Sequence, residues 1–154
     1  MTRVGKILAA VFILGVFFAF PVSAQQMSKA ALQKMYMDYL KEEGYVPSID
    51  DDGDILFKVT GDSYYIIIDE DDPQFFQIYM GLNLGSIPLQ SALNAANYSN
   101  RRSKVAKVYI SADGKIAIIK IELLVNKPED FKPLFSRGII LIQNAEDNFT
   151  SQLD

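Results

Sequence analysis

The sequence predicts an α+β domain, one antiparallel sheet with helices packed on it, in the order α-β-β-β-β-α-β-β-α. Three observations carry that prediction. Apolar residues recur at three- and four-residue spacing in stretches that begin near Ser28, Pro88 and Pro128. Between them the pattern turns extended and is punctuated by Asp-Gly and Gly-Asp pairs that suit tight hairpins. The strand connections are short and hairpin-like, which favours antiparallel neighbours over the crossovers of a doubly wound sheet.

The first helix places Leu32, Met35, Tyr36, Tyr39 and Leu40 on one face, with Ser28 as its cap and Gly44 as its left-handed stop. Val46 to Ile49 reads as a short strand closed by the turn Asp50-Asp51-Asp52-Gly53-Asp54. Ile55 to Val59 follows, then a Gly61-Asp62 turn and a strand from Tyr64 to Asp69 that looks buried on both faces or central in its sheet. The acidic turn Glu70-Asp71-Asp72-Pro73 leads to Phe75 to Leu82, and Pro73 stops ladder pairing ahead of that strand. In the second helix Ser86 is the expected cap, Pro88 suits the first turn, and Leu89, Ala92, Leu93 and Ala96 share a face. Arg101 and Arg102 fall at its negative end. Val105 to Ser111 and Lys115 to Val125 are strands joined through Ala112-Asp113-Gly114. The last helix carries Phe131, Leu134, Phe135, Ile139, Ile142, Ala145 and Phe149 on one stripe. Pro133 sets its start near Asp130, because an interior proline costs about 3 kcal/mol. Asn148 to Asp154 is expected to fray.

Ahead of this domain the chain reads as a cleavable export signal. Arg3 and Lys6 form a positive start, Ile7 to Phe20 is an apolar run broken only by Gly15, and Val22-Ser23-Ala24 presents small residues at a cleavage site. The run is shorter than the ~20 residues a membrane-spanning helix needs. The expected products are a signal peptide, residues 1–24, and a single domain, residues 25–154, that is periplasmic or extracellular and keeps no stable membrane anchor. No cysteine follows the apolar run, which excludes a lipoprotein anchor.

Composition then excludes several chemistries. The chain has a formal charge of −4, and the leader removes two cations and no acids, leaving the domain at −6. Nucleic acid, which needs a basic footprint, is disfavoured. There is no histidine, cysteine or tryptophan. Ser-His-Asp and Cys-His nucleophiles, ordinary zinc sites and disulfides are therefore excluded.

Three further constellations deserve weighing. The acids Asp50-Asp51-Asp52-Asp54 and Asp69-Glu70-Asp71-Asp72 could attract calcium, but counting from Gly53 as the sixth position puts Val59 where a calcium loop needs glutamate. They read as solvated turns, and no metal or cofactor is expected. No carboxylate pair is set apart in a cleft, so no catalytic residue is assigned. The aromatics Tyr64, Tyr65, Phe75, Phe76, Tyr79, Tyr98 and Tyr109 serve either a core or a binding surface.

The segments Tyr39-Leu40-Lys41-Glu42-Glu43-Gly44-Tyr45, Ile49-Asp50, Asp54-Ile55-Leu56-Phe57, Ile67-Ile68-Asp69 and Phe75-Phe76 have a familiar order. So do Ala92-Leu93-Asn94-Ala95-Ala96-Asn97, Lys107-Val108-Tyr109-Ile110 and Asp113-Gly114. With these the chain, from about Leu32 to Leu153, resembles the YbjN-type proteins, candidate bacterial sensory transduction regulators that share a fold with type III secretion chaperones. The resemblance implies a type III secretion chaperone-like fold and a non-catalytic protein-binding or regulatory module. The export signal departs from the familiar members and puts the chaperoning of an effector before its export in doubt. The expected partner is another protein, with self-association as a homodimer the first to test. The sheet and the helix from Pro88 to Asn100 are the expected surface, and Tyr64, Tyr98 and Tyr109 are its candidate residues. The alternative is a small-molecule-binding or enzymatic domain, which should enclose a cavity lined by polar groups.

Overall fold

A computed structural model describes residues 27–153; the leader and its cleavage site lie outside the described residues. The elements are α1 (Lys29–Glu42), β1 (Ser48–Ile49), β2 (Ile55–Val59), β3 (Asp62–Ile66), β4 (Phe75–Asn83), α2 (Leu89–Arg102), β5 (Lys107–Ile110), β6 (Ile116–Leu124), a 3-10 turn (Pro128–Phe131) and α3 (Lys132–Thr150). This is the expected α+β order. The strands form one sheet, β1-β2-β3-β4-β6-β5, and every neighbouring pair is antiparallel.

Local chemistry fixes both ends of α1. Ser28 Oγ accepts the Ala31 N–H at its start. At its end Gly44 takes φ +89°, so that Gly44 N–H reaches Lys41 O and Tyr45 N–H reaches Leu40 O. Those paired bonds are what a left-handed residue permits. The reversal drops Tyr45 onto Phe57 and Phe135, with ring centroids 5.5 and 5.8 Å away.

Several boundaries differ from expectation. β1 is only Ser48–Ile49, because Pro47 has no N–H to give a ladder and Val46 is 91% exposed. β3 spans Asp62–Ile66, not Tyr64 to Asp69. The turn before it is Thr60-Gly61, both at positive φ (50° and 104°), which moves the hairpin one residue earlier. β3 is central in the sheet, between β2 and β4, and is buried on one face only: Tyr64 and Ile66 are covered while Tyr65 is half-buried. Ser86 is not the cap of α2. Pro88 occupies that position without a side-chain bond. The buried stripe of α2 is Ala92, Ala95, Ala96 and Ser99, leaving Leu89 and Leu93 52% and 44% exposed. Asn148 to Thr150 is helical, and Phe149 is fully buried in the core.

All three helices lie on one side of the sheet. Tyr36, Tyr39, Phe57, Phe76, Phe131 and Phe135 form a connected aromatic core between α1, the sheet and α3, at centroid separations of 4.7 to 6.0 Å. Gly138 lets α3 approach closely, since a Cβ there would stand 2.5 Å from Ile121 Cδ1. Gly138 is thus where the middle of α3 comes close to the sheet. Ser99 Oγ donates to Ala145 O at 2.7 Å and ties α2 to α3.

The outer edge of β5 is closed by a side chain. Asn100 Nδ2 donates to Val108 O at 2.9 Å, and Asn100 Oδ1 accepts the Val108 N–H at 2.8 Å. Those are the two bonds a neighbouring strand would make. An exposed edge otherwise invites pairing with another chain.

Candidate functional site

Antiparallel register brings together side chains far apart in sequence, and here it builds a face. On the side away from the helices one row crosses the sheet through Leu56, Tyr65, Tyr79, Lys120 and Lys107. The next row runs Lys58, Ser63, Gly81, Ile118 and Tyr109. No described segment is packed over them. Tyr109 and Ile116 are 42% and 41% exposed, and Leu124 at the end of β6 is 80% exposed. Tyr65 and Tyr79 are register partners, and their rings stack at 4.8 Å with 14° between planes.

Gly81 leaves a hollow in the middle of β4. A depression of about 410 Å³ is lined by Ser63, Tyr65, Tyr79, Gly81, Asn83, Ile116 and Ile118. Tyr79 and Ile118 separate it from a second of about 190 Å³ whose wall includes Ile67, Gln77, Tyr109 and Lys120. Both are open troughs. On the other side of the sheet the described core is packed by apolar side chains, and no buried side-chain nitrogen or oxygen there lacks a partner.

Charge on this face is mixed, with Lys58 on β2 and a cluster of two lysines and a glutamate on β6 and β5. On the β6–β5 side Lys107 and Lys120 stand opposite each other, and Glu122 forms ion pairs with both. Burial alone would raise the Glu122 carboxyl, but hydrogen bonds from Lys107 and Lys120 outweigh it and hold the group below its ordinary value. The Lys120 ammonium also lies 5.4 Å from the Tyr109 ring centre. On the β2 side the corner is acidic, with Asp50, Asp52 and Asp54 in one turn. Burial raises the Asp54 carboxyl, the Ile68 N–H opposes that shift, and Asp50 adds to it. The Tyr79 hydroxyl is pushed up to about 12, first by burial and then by Asp54. It therefore remains a protonated donor at neutral pH.

The acid clusters have structural work of their own. Asp50 Oδ1 accepts the N–H groups of Asp52 and Asp54, Asp54 Oδ1 accepts that of Ile68, and Asp69 Oδ1 accepts those of Asp71 and Asp72. Lys29 Nζ donates to Asp52 O at 3.1 Å and anchors α1 to the first turn. Among the described residues no group of three acidic side chains is arranged to hold a metal ion.

The structure separates the three candidate tyrosines. Tyr64 is 1% exposed and lies beneath the helices, 5.8 Å from Phe57, so it is unavailable to a partner. Tyr98 is half-buried on α2 under the Arg102 guanidinium, 4.4 Å from the ring centre. Tyr109 is on the uncovered face. Sheet face and α2 do not combine into one surface, because they stand on opposite sides of the sheet. Tyr65, Tyr79, Gly81 and Ile118 were not singled out as a set by sequence reasoning. Register was the signal that could have joined them, and it depends on where the hairpins turn.

No family model and no curated sequence matches the chain. Solved structures do. An uncharacterized protein from Methanothermobacter thermautotrophicus matches with a TM-score of 0.57 at 12% identity, over 79% of this chain and 96% of that one. YbjN from E. coli, described as a candidate transcription regulator, matches with a TM-score of 0.60 at 10% identity, over 78% and 93%. The HopA1-SchA chaperone-effector complex contains a chain that matches with a TM-score of 0.52 at 14% identity, over 77% and 95%. The chain therefore has the fold shared by YbjN and a chain of a type III secretion chaperone-effector complex.

Proposed function

We propose that this protein is exported and works without catalysis or cofactor as a protein-binding module of chaperone-like or regulatory type, with the uncovered sheet face as its binding surface. One observation carries the reading: the sheet presents stacked tyrosines, isoleucines and two open troughs on a side that no described element covers. Aromatic side chains in shallow, water-accessible relief suit a protein surface better than an enclosed ligand. The shared fold with a chain of a chaperone-effector complex supports a protein partner. The signal-like first 24 residues support export.

Site-specific photocrosslinking in the native host tests this. A photoreactive residue at position 109 or 116 should yield discrete protein adducts, and one at Lys41 on the exposed side of α1 should yield none. Adducts at Lys41 alone would overturn the assignment. Intact mass of the recovered protein checks export, with Gln25 as the expected first residue.

A further inference from the structure

We infer that the turn from α2 into β5 is a second docking surface, built to receive a carboxylate-rich segment of a partner protein. It rests on the protein-binding reading and is separate from the sheet face. Arg101, Arg102 and Lys104 are all exposed, and among the described residues none of them forms an ion pair. The two arginines lie in the last turn of α2, where cations suit the helix dipole. Lys104 lies beyond the helix, where that dipole has fallen away. No Asp or Glu occurs between Asp72 and Asp113, although the chain as a whole is acidic. Asp113 stands at the far end of α2, where Leu89 Cδ1 is 3.7 Å from the Cβ position of Gly114. The 14 residues of the helix separate that end from the arginines by about 21 Å. Glu122 is already paired with Lys107 and Lys120, and on α3 Glu146 interacts with Tyr64 and Asp62 and with no cation.

The turn is held in shape before any partner arrives. Asn100 bonds Val108 through both side-chain atoms at its base, and the Ser103 N–H donates to Ser99 O at 2.9 Å. The Arg102 guanidinium lies over the Tyr98 ring, and an open hollow of about 320 Å³ is lined by Tyr98, Arg101 and Arg102. A guanidinium offers a carboxylate two parallel N–H donors, and stacking on an aromatic ring limits what ordering it costs. Range decides the kind of anion. At physiological salt a surface charge is felt over about 8 Å. A short acidic segment seated on the turn therefore meets its three cations, whereas a lipid bilayer or a nucleic acid is broad enough to meet the acidic excess of the remaining surface.

Fluorescence anisotropy reads the result, using the soluble protein expressed from its full coding sequence and a fluorescein-labelled peptide of alternating Glu and Leu as the probe. Wild type should bind the peptide, and added salt should weaken the binding. Arg101→Glu combined with Arg102→Glu should weaken it about tenfold or more, because like charges then face each other. Arg101→Gln combined with Arg102→Gln should weaken it in the same direction without reversing the charge at the helix end. Lys34→Glu combined with Lys41→Glu, an equal change of charge on α1, should leave it unaltered. Circular dichroism checks that each variant is folded. Equal losses for the α1 and α2 variants, or a peptide bound no more tightly than its counterpart with Gln for Glu, overturn the inference. Tighter binding to phosphatidylglycerol vesicles than to the peptide does so too. If position 109 still crosslinks to a protein in that case, the sheet-face reading stands and only the turn falls.

Discussion

The two faces of the sheet are built from alternate residues of the same strands, and their fates differ completely. On β4, Phe76, Ile78 and Met80 are buried beneath the helices, while Phe75, Gln77 and Tyr79 between them point the other way and are half-covered. On β6, Ala117, Ile119 and Ile121 are buried, whereas Ile118, Lys120 and Glu122 are half-covered. Both faces are rich in apolar side chains, so hydrophobicity alone does not say which one the helices take. The difference lies in what each face adds. The covered side presents mainly apolar strand residues that interlock with an aromatic cluster, and the uncovered side mixes tyrosines with ion pairs and a glycine hollow. A side built for packing and a side built for recognition should respond to substitution in opposite ways.

Phe135→Ala should give the largest effect. The ring is fully buried and contacts Tyr39, Tyr45 and Phe57, so its loss should cost about 3–5 kcal/mol in chemical denaturation. Tyr79→Ala removes a half-buried ring and should cost no more than about 1–2 kcal/mol while weakening association. Equal stability losses for the two variants would erase the distinction between the faces.

Asn100→Ala sharpens the comparison at the edge, where covered and uncovered sides meet. It removes both side-chain bonds to Val108 and leaves a strand edge with a free donor and acceptor. The expected cost is about 1–2 kcal/mol. Hydrogen exchange at the Val108 amide should accelerate, and concentrated solutions should begin to associate through β5. Unchanged exchange at Val108 would mean that the Asn100 bonds do not protect the edge.

How much of this was legible in the sequence depended on the kind of residue carrying the signal. β2 was read to the residue, because Asp-Gly on one side and Gly61 on the other bracket it. β3 slipped because Thr60, a β-branched residue at φ 50°, takes a turn position that sequence rules assign to glycine or asparagine. The stripe of α2 was misread for an energetic reason. Leu89 and Leu93 are the strongest apolar signals, but the helix packs through Ala92, Ala95, Ala96 and Ser99, whose small side chains permit close approach. Those four also recur at three- and four-residue spacing, so the pattern was present and the weighting was wrong. Tyr64 was misplaced for want of register. It adjoins Tyr65, and a shift of one residue exchanges the two faces.

The smallest expected effect lies with Glu122, and pH reveals it. Its carboxylate serves two lysines that the register sets directly opposite each other, an arrangement that is unfavourable without it. Hydrogen bonds from Lys107 and Lys120 hold its folded-state pKa below the ordinary value of 4.5 in spite of burial. A depressed carboxyl contributes stability that is present in full above the unfolded pKa and is lost as pH falls through the folded one. The pairs are only partly shielded from water, so the contribution should be no more than about 1 kcal/mol. Glu122→Gln should therefore be less stable than wild type by that amount at pH 7, with the gap closing as the pH is lowered beneath about 4.5. Salt should narrow the gap as well, since exposed pairs are screened. Parallel stability curves for the two proteins down to pH 3 would show that Glu122 acts through packing and not through its charge, and the lysine pair would then lose its part in the polarity of the face.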